Sequence, residues 1–391
     1  MSNSDQVFGD AASDRLPMAA YILTVCVGVI GSNSLVLGPI APAVAGSFGT
    51  SVPTVMMASS AFGLGTAASA LFLARHIDRL GARRMLRLAM VFLAAALLLS
   101  AMSPFISALI VAQLVAGLAS GVALPAIYAS AAAVAPPGRE ARTIGVVLTG
   151  WTLSMVAGVA LSAVLADIVH WRAVFLAVAL LAMLAALAIS FMPYRETLAS
   201  GPAPLPFAAL RLSGVKPLLV AAGTFMAAFY GVYGYLGDHL HRALGEPVSM
   251  NGLAALVYGI GFGGSMLLDG FADRIGPRRL MPFAFLAVAV VYLAIALVAG
   301  NVVAILAAIF LWGLANHFAL NILVMRLAAI DPAQRGTIMG LNSAVTYLAV
   351  FAGTSGFGPI YTAYGFAVCA FAAMALTLLA AVAGSSAGQS R

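Results

Sequence analysis

The feature that most constrains this chain is the length of its uncharged runs. Between Arg87 and Arg139, for example, there is no Asp, Glu, Lys or Arg. Only 8% of the residues are charged and 63% are hydrophobic, whereas soluble domains carry about a quarter charged residues. Such a chain cannot coat itself for water, so lipid must be the solvent for most of its length. A bilayer-spanning helix needs about 20 apolar residues. The runs lack the strict alternation of a membrane barrel strand. Backbone amides in lipid must bond within their own segment, which leaves helices.

The runs predict an all-α membrane protein of twelve transmembrane helices, at 17–45, 52–74, 85–103, 105–135, 143–167, 172–193, 217–238, 249–270, 280–299, 302–329, 337–362 and 366–384. Turn signals part them, among them Ser103-Pro104, Pro136-Pro137-Gly138, Gly245-Glu246-Pro247 and Asp331-Pro332. The longest polar stretch inside the chain, 194–216, holds Arg195, Glu196, Gly201, Pro202, Pro204, Pro206, Arg211 and Lys216. It reads as a linker, with Phe207 to Leu212 as a short interfacial helix. The domains are therefore a tail (1–16), a six-helix bundle (17–193), the linker (194–216), a second six-helix bundle (217–384) and a tail (385–391).

A basic cassette occurs twice. Asp78-Arg79-Leu80-Gly81-Ala82-Arg83-Arg84 and Asp273-Arg274-Ile275-Gly276-Pro277-Arg278-Arg279 lie 195 residues apart in a chain of 391. At the same shift Ala157-Gly158 aligns with Ala352-Gly353, and Thr143-Ile144 lies close to Thr337-Ile338. Parallel repeats of six spans are typical of one large transporter architecture. With both termini in the cytoplasm, all of the 19 Lys and Arg residues except Arg172 and Arg242 fall on that side, as the positive-inside rule requires. The acidic N-terminal stretch, with Asp5, Asp10 and Asp14, predicts no cleavable signal. The net charge of +7 sits in short loops and forms no folded basic face, which argues against nucleic acid as a partner. Cys26 and Cys369 fall in apolar runs and read as small hydrophobes.

On these residues the chain resembles the major facilitator superfamily over about 15–385. The Asp-Arg-x-Gly core and basic end of the cassette match the family's signature between helices 2 and 3. The opening Gly and the Leu of that signature are absent. A finer resemblance is to the twelve-span drug- and sugar-efflux proton antiporters. It rests on Gly150, Gly158 and Ser162 in helix 5, where the motif's usual Pro is replaced by Val159-Ala160. It rests also on Trp171-Arg172 and on the aromatic run Phe229 to Leu236. Many relatives carry an Arg in helix 4; here Gln113 stands there. Ser32-Asn33-Ser34 replace the carboxylate often found in helix 1.

The resemblance implies a two-bundle transporter of a bacterial inner membrane. Its function would be proton-coupled efflux of a small lipophilic or neutral-polar molecule, drug- or sugar-like, by alternating access. An importer of an organic solute and a non-transporting sensor or scaffold are the alternatives. The partners expected are a small-molecule substrate, protons and the bilayer. The chain is expected to act as a monomer, without a cofactor and not as an enzyme. The cytoplasmic gate would comprise Asp78, Arg79, Gly81, Arg83 and Arg142 with Asp273, Arg274, Gly276 and Arg278. In it each carboxylate faces a helix N-terminus across the halves, Asp78 at helix 11 and Asp273 at helix 5. A cavity lined by helices 1, 4, 7 and 10 would present Asn33, Gln113, Tyr128, Phe229, Tyr230, Tyr233, Trp312, Asn316 and His317. His317 is the ionisable residue placed nearest mid-membrane, a candidate for proton coupling or an interhelical histidine. No metal is expected. His239 and His241 are two apart on a helix and point away from each other, and Asp238, His239, His241 and Arg242 read as a solvated loop.

Overall fold

The computed structural model describes residues 17–73, 76–136, 139–192, 206–265, 274–331 and 334–386. Among these residues twelve helices follow the apolar runs: α1 Met18–Phe48, α2 Val52–Phe72, α3 Ala82–Ala101, α4 Ile106–Val134, α5 in the pieces Glu140–Leu153 and Ala160–Ile168, α6 Trp171–Ser190, α7 Val215–Asp238, α8 Val248–Gly264, α9 Pro277–Leu297, α10 Val302–Ala328, α11 Arg335–Tyr364 and α12 Phe366–Ser386. There is no strand among the described residues. Where both ends are described, helix ends fall within a few residues of the sequence expectation, because turn chemistry marks them; the expected end of the eighth span, at 270, lies outside the described residues. The linker contributes a 3₁₀ turn, Pro206–Arg211.

The two six-helix halves repeat one packing scheme. In the first, Gly65 and Gly117 bring α2 against α4: a Cβ on Gly117 would strike the Phe62 carbonyl, and one on Gly65 the Leu114 carbonyl. In the second, Gly261 and Gly313 bring α8 against α10, opposite the carbonyls of Phe310 and Tyr258. All four residue pairs correspond at a shift of 196, one more than the cassettes show. Small residues of this kind let helix backbones approach in lipid. Likewise Gly158 abuts Ser32 between α5 and α1, and Gly353 abuts Ala227 between α11 and α7. In α5 the register is interrupted by a π-helical segment, Ser154–Val159, that carries Gly158. Such segments cluster at functional sites.

Both cassettes make the same bend. Gly81 has φ 87° and ψ 135°, and Gly276 has φ 93° and ψ 133°, a region that favours glycine. The face of the molecule that carries these bends is called here the basic face. Packing between the halves concentrates from mid-membrane toward the opposite face. There α1 meets α7 (Gly38 against Tyr233), α2 meets α11 (Pro53 against Gly358) and α5 meets α8 (Ala160 against Gly252).

Candidate functional site

The expected lining residues separate into two groups. Asn33 and Gln113 lie inside the first half and satisfy each other. Asn33 Nδ2 donates to Gln113 Oε1 at 3.2 Å, and Gln113 Nε2 donates to Asn33 Oδ1 at 3.4 Å and to Ser100 Oγ at 3.1 Å. Gln113 is wholly buried and Asn33 nearly so. The three side chains tie α1, α3 and α4 together where hydrocarbon would leave any unpaired amide costly.

The second group is aromatic and sits in the second half. Phe229 stacks on Tyr233 at 5.4 Å, with Tyr230 at 4.9 Å, Trp312 at 5.3 Å and Tyr258 at 5.6 Å between ring centroids. Tyr292 completes the cluster against Trp312 at 5.6 Å. Asn316 Nδ2 donates to the Tyr258 hydroxyl at 3.1 Å. The cavity bounded by Tyr233, Tyr258, Trp312 and Asn251 measures about 10 Å³, room for about one water.

Around this cluster tyrosine hydroxyls from both halves converge. Tyr230 of α7 lies beside Ser34 of α1. The Tyr347 hydroxyl of α11 is within electrostatic range of those of Tyr230 and Tyr128, the latter on α4 beside Trp151. Tyr258 is in range of Tyr230 and Tyr233. Tyr258, Tyr347 and Ser34 were missed in the sequence. Their helices, α8, α11 and α1, meet α7 only through tertiary packing, and no local spacing signals that. His317 is half-buried, with its ring 4.7 Å from Phe262 of α8 in an edge-on arrangement. The described residues at this level carry no Asp, Glu, Lys or Arg.

The helix-5 residues Gly150, Gly158 and Ser162 serve one contact. Gly150 admits the Thr24 carbonyl of α1, Gly158 admits Ser32, and Ser162 Oγ donates to the Gly158 carbonyl at 2.6 Å. The motif thus sets how closely α5 rides on α1. Arg172 lies over Trp171 at 4.4 Å and Phe48 at 5.6 Å, and donates to the Ser103 carbonyl at 2.9 Å. It closes the corner of the first half on the face away from the cassettes.

Among the expected gate residues, Asp273 lies outside the described residues, and for Asp78 and Arg79 only the backbone is described. Arg142, Arg274 and Arg278 are exposed. Arg83 points within its own half: Nε donates to the Ile189 carbonyl at 3.0 Å and Nη2 to that of Ser190, at the end of α6. Arg326 does the same at the end of α12, donating to the Gly384 carbonyl at 2.7 Å.

The expectation of a solvated loop at 238–242 is overturned. Helix α7 continues as a π-helical turn, His239–Ala243, and Asp238 is 3% exposed. Its carboxylate takes Arg242 Nε at 3.0 Å and the Tyr361 hydroxyl at 2.8 Å. Asp238, Arg242 and Tyr361 line a recess of about 320 Å³ together with Ser51 and Pro53 of the first half. His239 bonds the Ala299 carbonyl and His241 that of Glu246, both at 2.7 Å, so the two rings diverge.

Two repeated bundles that meet about a buried, uncharged centre, with packing concentrated toward one face, have the architecture of one large class of membrane transporters. The family model of the Major Facilitator Superfamily matches residues 23–354, and the chain belongs to that family. It is a multi-pass membrane transporter. An uncharacterized MFS-type transporter, YwfA of Bacillus subtilis, is 27% identical over 96% of this chain and 94% of its own length. The chloramphenicol resistance protein of Streptomyces lividans is 27% identical over 83% and 84%. A bacterial homologue of the human lysosomal transporter Spinster, crystallised inward-facing and unoccupied, superposes with a TM-score of 0.77. It covers 95% of this chain and 96% of its own at 16% identity, a likeness of fold.

Proposed function

We propose that the protein is a proton-coupled exporter of small uncharged molecules that combine aromatic or apolar surface with hydroxyl or carbonyl groups. It sits as a monomer in a bacterial inner membrane with both termini and the basic face in the cytoplasm. The observation that carries this reading is the layer of tyrosine hydroxyls, Tyr128, Tyr230, Tyr233, Tyr258 and Tyr347, contributed by both halves at a level without fixed charge. A substrate bridging the halves would meet hydroxyls of both as they rock. Aromatic walls suit a flat, partly apolar solute, and hydroxyls recognise it without the desolvation cost of a charge. The name of the Streptomyces relative supports efflux of such a compound.

Coupling is assigned to His317, the ionisable side chain described at mid-depth in α10, whose ring lies in the second half beside Phe262. The cassettes latch the cytoplasmic face when it closes, with Asp78 and Asp273 against helix N-termini as an anion prefers.

Inverted membrane vesicles loaded by a pH gradient and offered a panel of neutral aromatic antibiotics and sugars test the reading. Gradient-dependent accumulation is expected. Tyr347→Phe should raise KM about two- to tenfold, the worth of one hydrogen bond. His317→Gln should remove the gradient dependence while leaving binding. Accumulation of no compound, or proton-driven transport unchanged in His317→Gln, overturns the exporter or the coupling assignment respectively.

A further inference from the structure

The two halves are sealed on the face opposite the cassettes along two seams, and the seams are built differently. In the seam of α5, α8 and α1, Asn251 of α8 is 3% exposed and reaches across the halves, its Nδ2 donating to the Pro39 carbonyl of α1 at 2.7 Å. Two residues earlier, the Ser249 amide donates to Asp167 Oδ2 of α5 at 3.3 Å. Asp167 lies in the last turn of its own helix, where a carboxylate meets the negative end of the macrodipole. That placement is locally unfavourable and gains from the positive end of α8 across the interface. Helix α8 in turn follows Pro247, which supplies no side-chain cap, so one of its unbonded amides is satisfied from the other half.

The second seam, of α2 and α11, has no such pair among the described residues. Helix α2 caps itself: Ser51 Oγ accepts from the Thr54 amide at 3.4 Å. The residue at the place of Asp167, 195 further on, is Thr362, whose hydroxyl donates to Gly358 O in its own helix at 2.9 Å. Deeper down, Ser60 and Thr354 hydroxyls meet at 2.6 Å, and the outer end stands apart as the 320 Å³ recess. One seam is therefore bolted at its mouth and the other is closed only below it.

We propose that Asn251, with Asp167, is the latch of the gate on the face opposite the cassettes. Its release from Pro39 and from the α8 N-terminus frees α1 and α5 to swing from α8. The acceptor is suited to this. Pro39 and Pro42 interrupt the amide ladder of α1, so the latch sits where a helix bends most readily. The inference rests on the alternating-access reading but on neither the substrate, the direction nor the coupling ion.

The test uses the full chain with Cys26 and Cys369 replaced by Ser and a reporter, Ala255→Cys, at a buried position lining the small cavity beside Asn251. Labelling by a membrane-impermeant maleimide is followed in membrane vesicles of both orientations. Asn251→Ala should raise the rate about tenfold, the upper worth of one hydrogen bond. Asp167→Asn, exposed and harmless to folding, should raise it about two- to fivefold. Both increases should appear only from the face opposite the cassettes. Unchanged rates in both variants, or equal increases from both faces, overturn the latch. If Asn251→Ala does not fold, Asn251→Ser and Asp167→Asn carry the test alone. Because labelling needs no substrate, a failed transport assay and a failed latch are read separately.

Discussion

The two halves share a scaffold but not a core. At the three positions where the first half places Asn33, Gln113 and Ser100, the shifts of 195 and 196 put Ala228, Ile309 and Ile295 in the second. All three are buried and apolar. Conversely, the aromatic cluster of Phe229, Tyr258, Tyr292 and Trp312 corresponds to Ser34, Phe62, Leu97 and Ala116 in the first half. One half is held by a closed set of amide hydrogen bonds, the other by ring packing. The difference teaches that the repeat fixes where helices cross, while each half has chosen its own way to fill the crossing. The half that fills it with aromatic rings also carries most of the hydroxyls at the centre.

The strongest way to break this comparison is at the shared crossings. Gly117→Ala and Gly313→Ala each drive a methyl into a backbone carbonyl, of Phe62 and Tyr258 respectively. Backbone cannot swing aside as a side chain can, so each should lie at the upper end of the about 1–3 kcal/mol that overpacking costs. The expected outcome is an equal loss of the monodisperse, folded fraction in detergent. A loss in only one half would show that the crossings are not equivalent.

The distinct cores make the next prediction. Gln113→Ile leaves Asn33 buried without its partner and should cost about 1–3 kcal/mol, read as a lowered thermal midpoint. Adding Asn33→Ala and Ser100→Ile transplants the second half's residues and should recover much of that loss, because no buried polar group is then stranded. If the triple variant is no more stable than the single one, the amide set holds more than its own bonds.

The helices were legible because each apolar run ends in turn chemistry, and Gly81 and Gly276 announce the repeat. Part of the centre was legible too: spacing groups Phe229, Tyr230 and Tyr233 on α7 and Trp312 and Asn316 on α10, while that the two helices meet was implied only by the family resemblance. Helical spacing says that a polar residue turns inward, and it does not say whether inward means the bundle interior or the space between bundles. That is why Gln113 and Asn33 looked like lining residues, although each faces the other. Asp238 misled for the opposite reason. Its charged neighbours suggest water, while the residue that encloses it, Tyr361, is 123 positions away.

The smallest effect sharpens the comparison at the helix ends. Arg83 of α3 closes the last carbonyls of α6, and Arg326 of α10 closes the end of α12. The two halves thus perform one task with donors from non-equivalent helices. A cation at a helix C-terminus is worth about 0.3–1 kcal/mol, so Arg83→Ala and Arg326→Ala should each lower the thermal midpoint only slightly and leave the tyrosine layer intact. Arg83→Lys should keep part of the effect, since an ammonium retains the charge but cannot span both the Ile189 and Ser190 carbonyls in the fixed geometry of a guanidinium. Arg83 also lies within a cassette, so transport separates its two readings. Loss of transport in Arg83→Ala with unchanged stability would place it in the gate. A small stability loss with transport retained would leave it as the cap of α6.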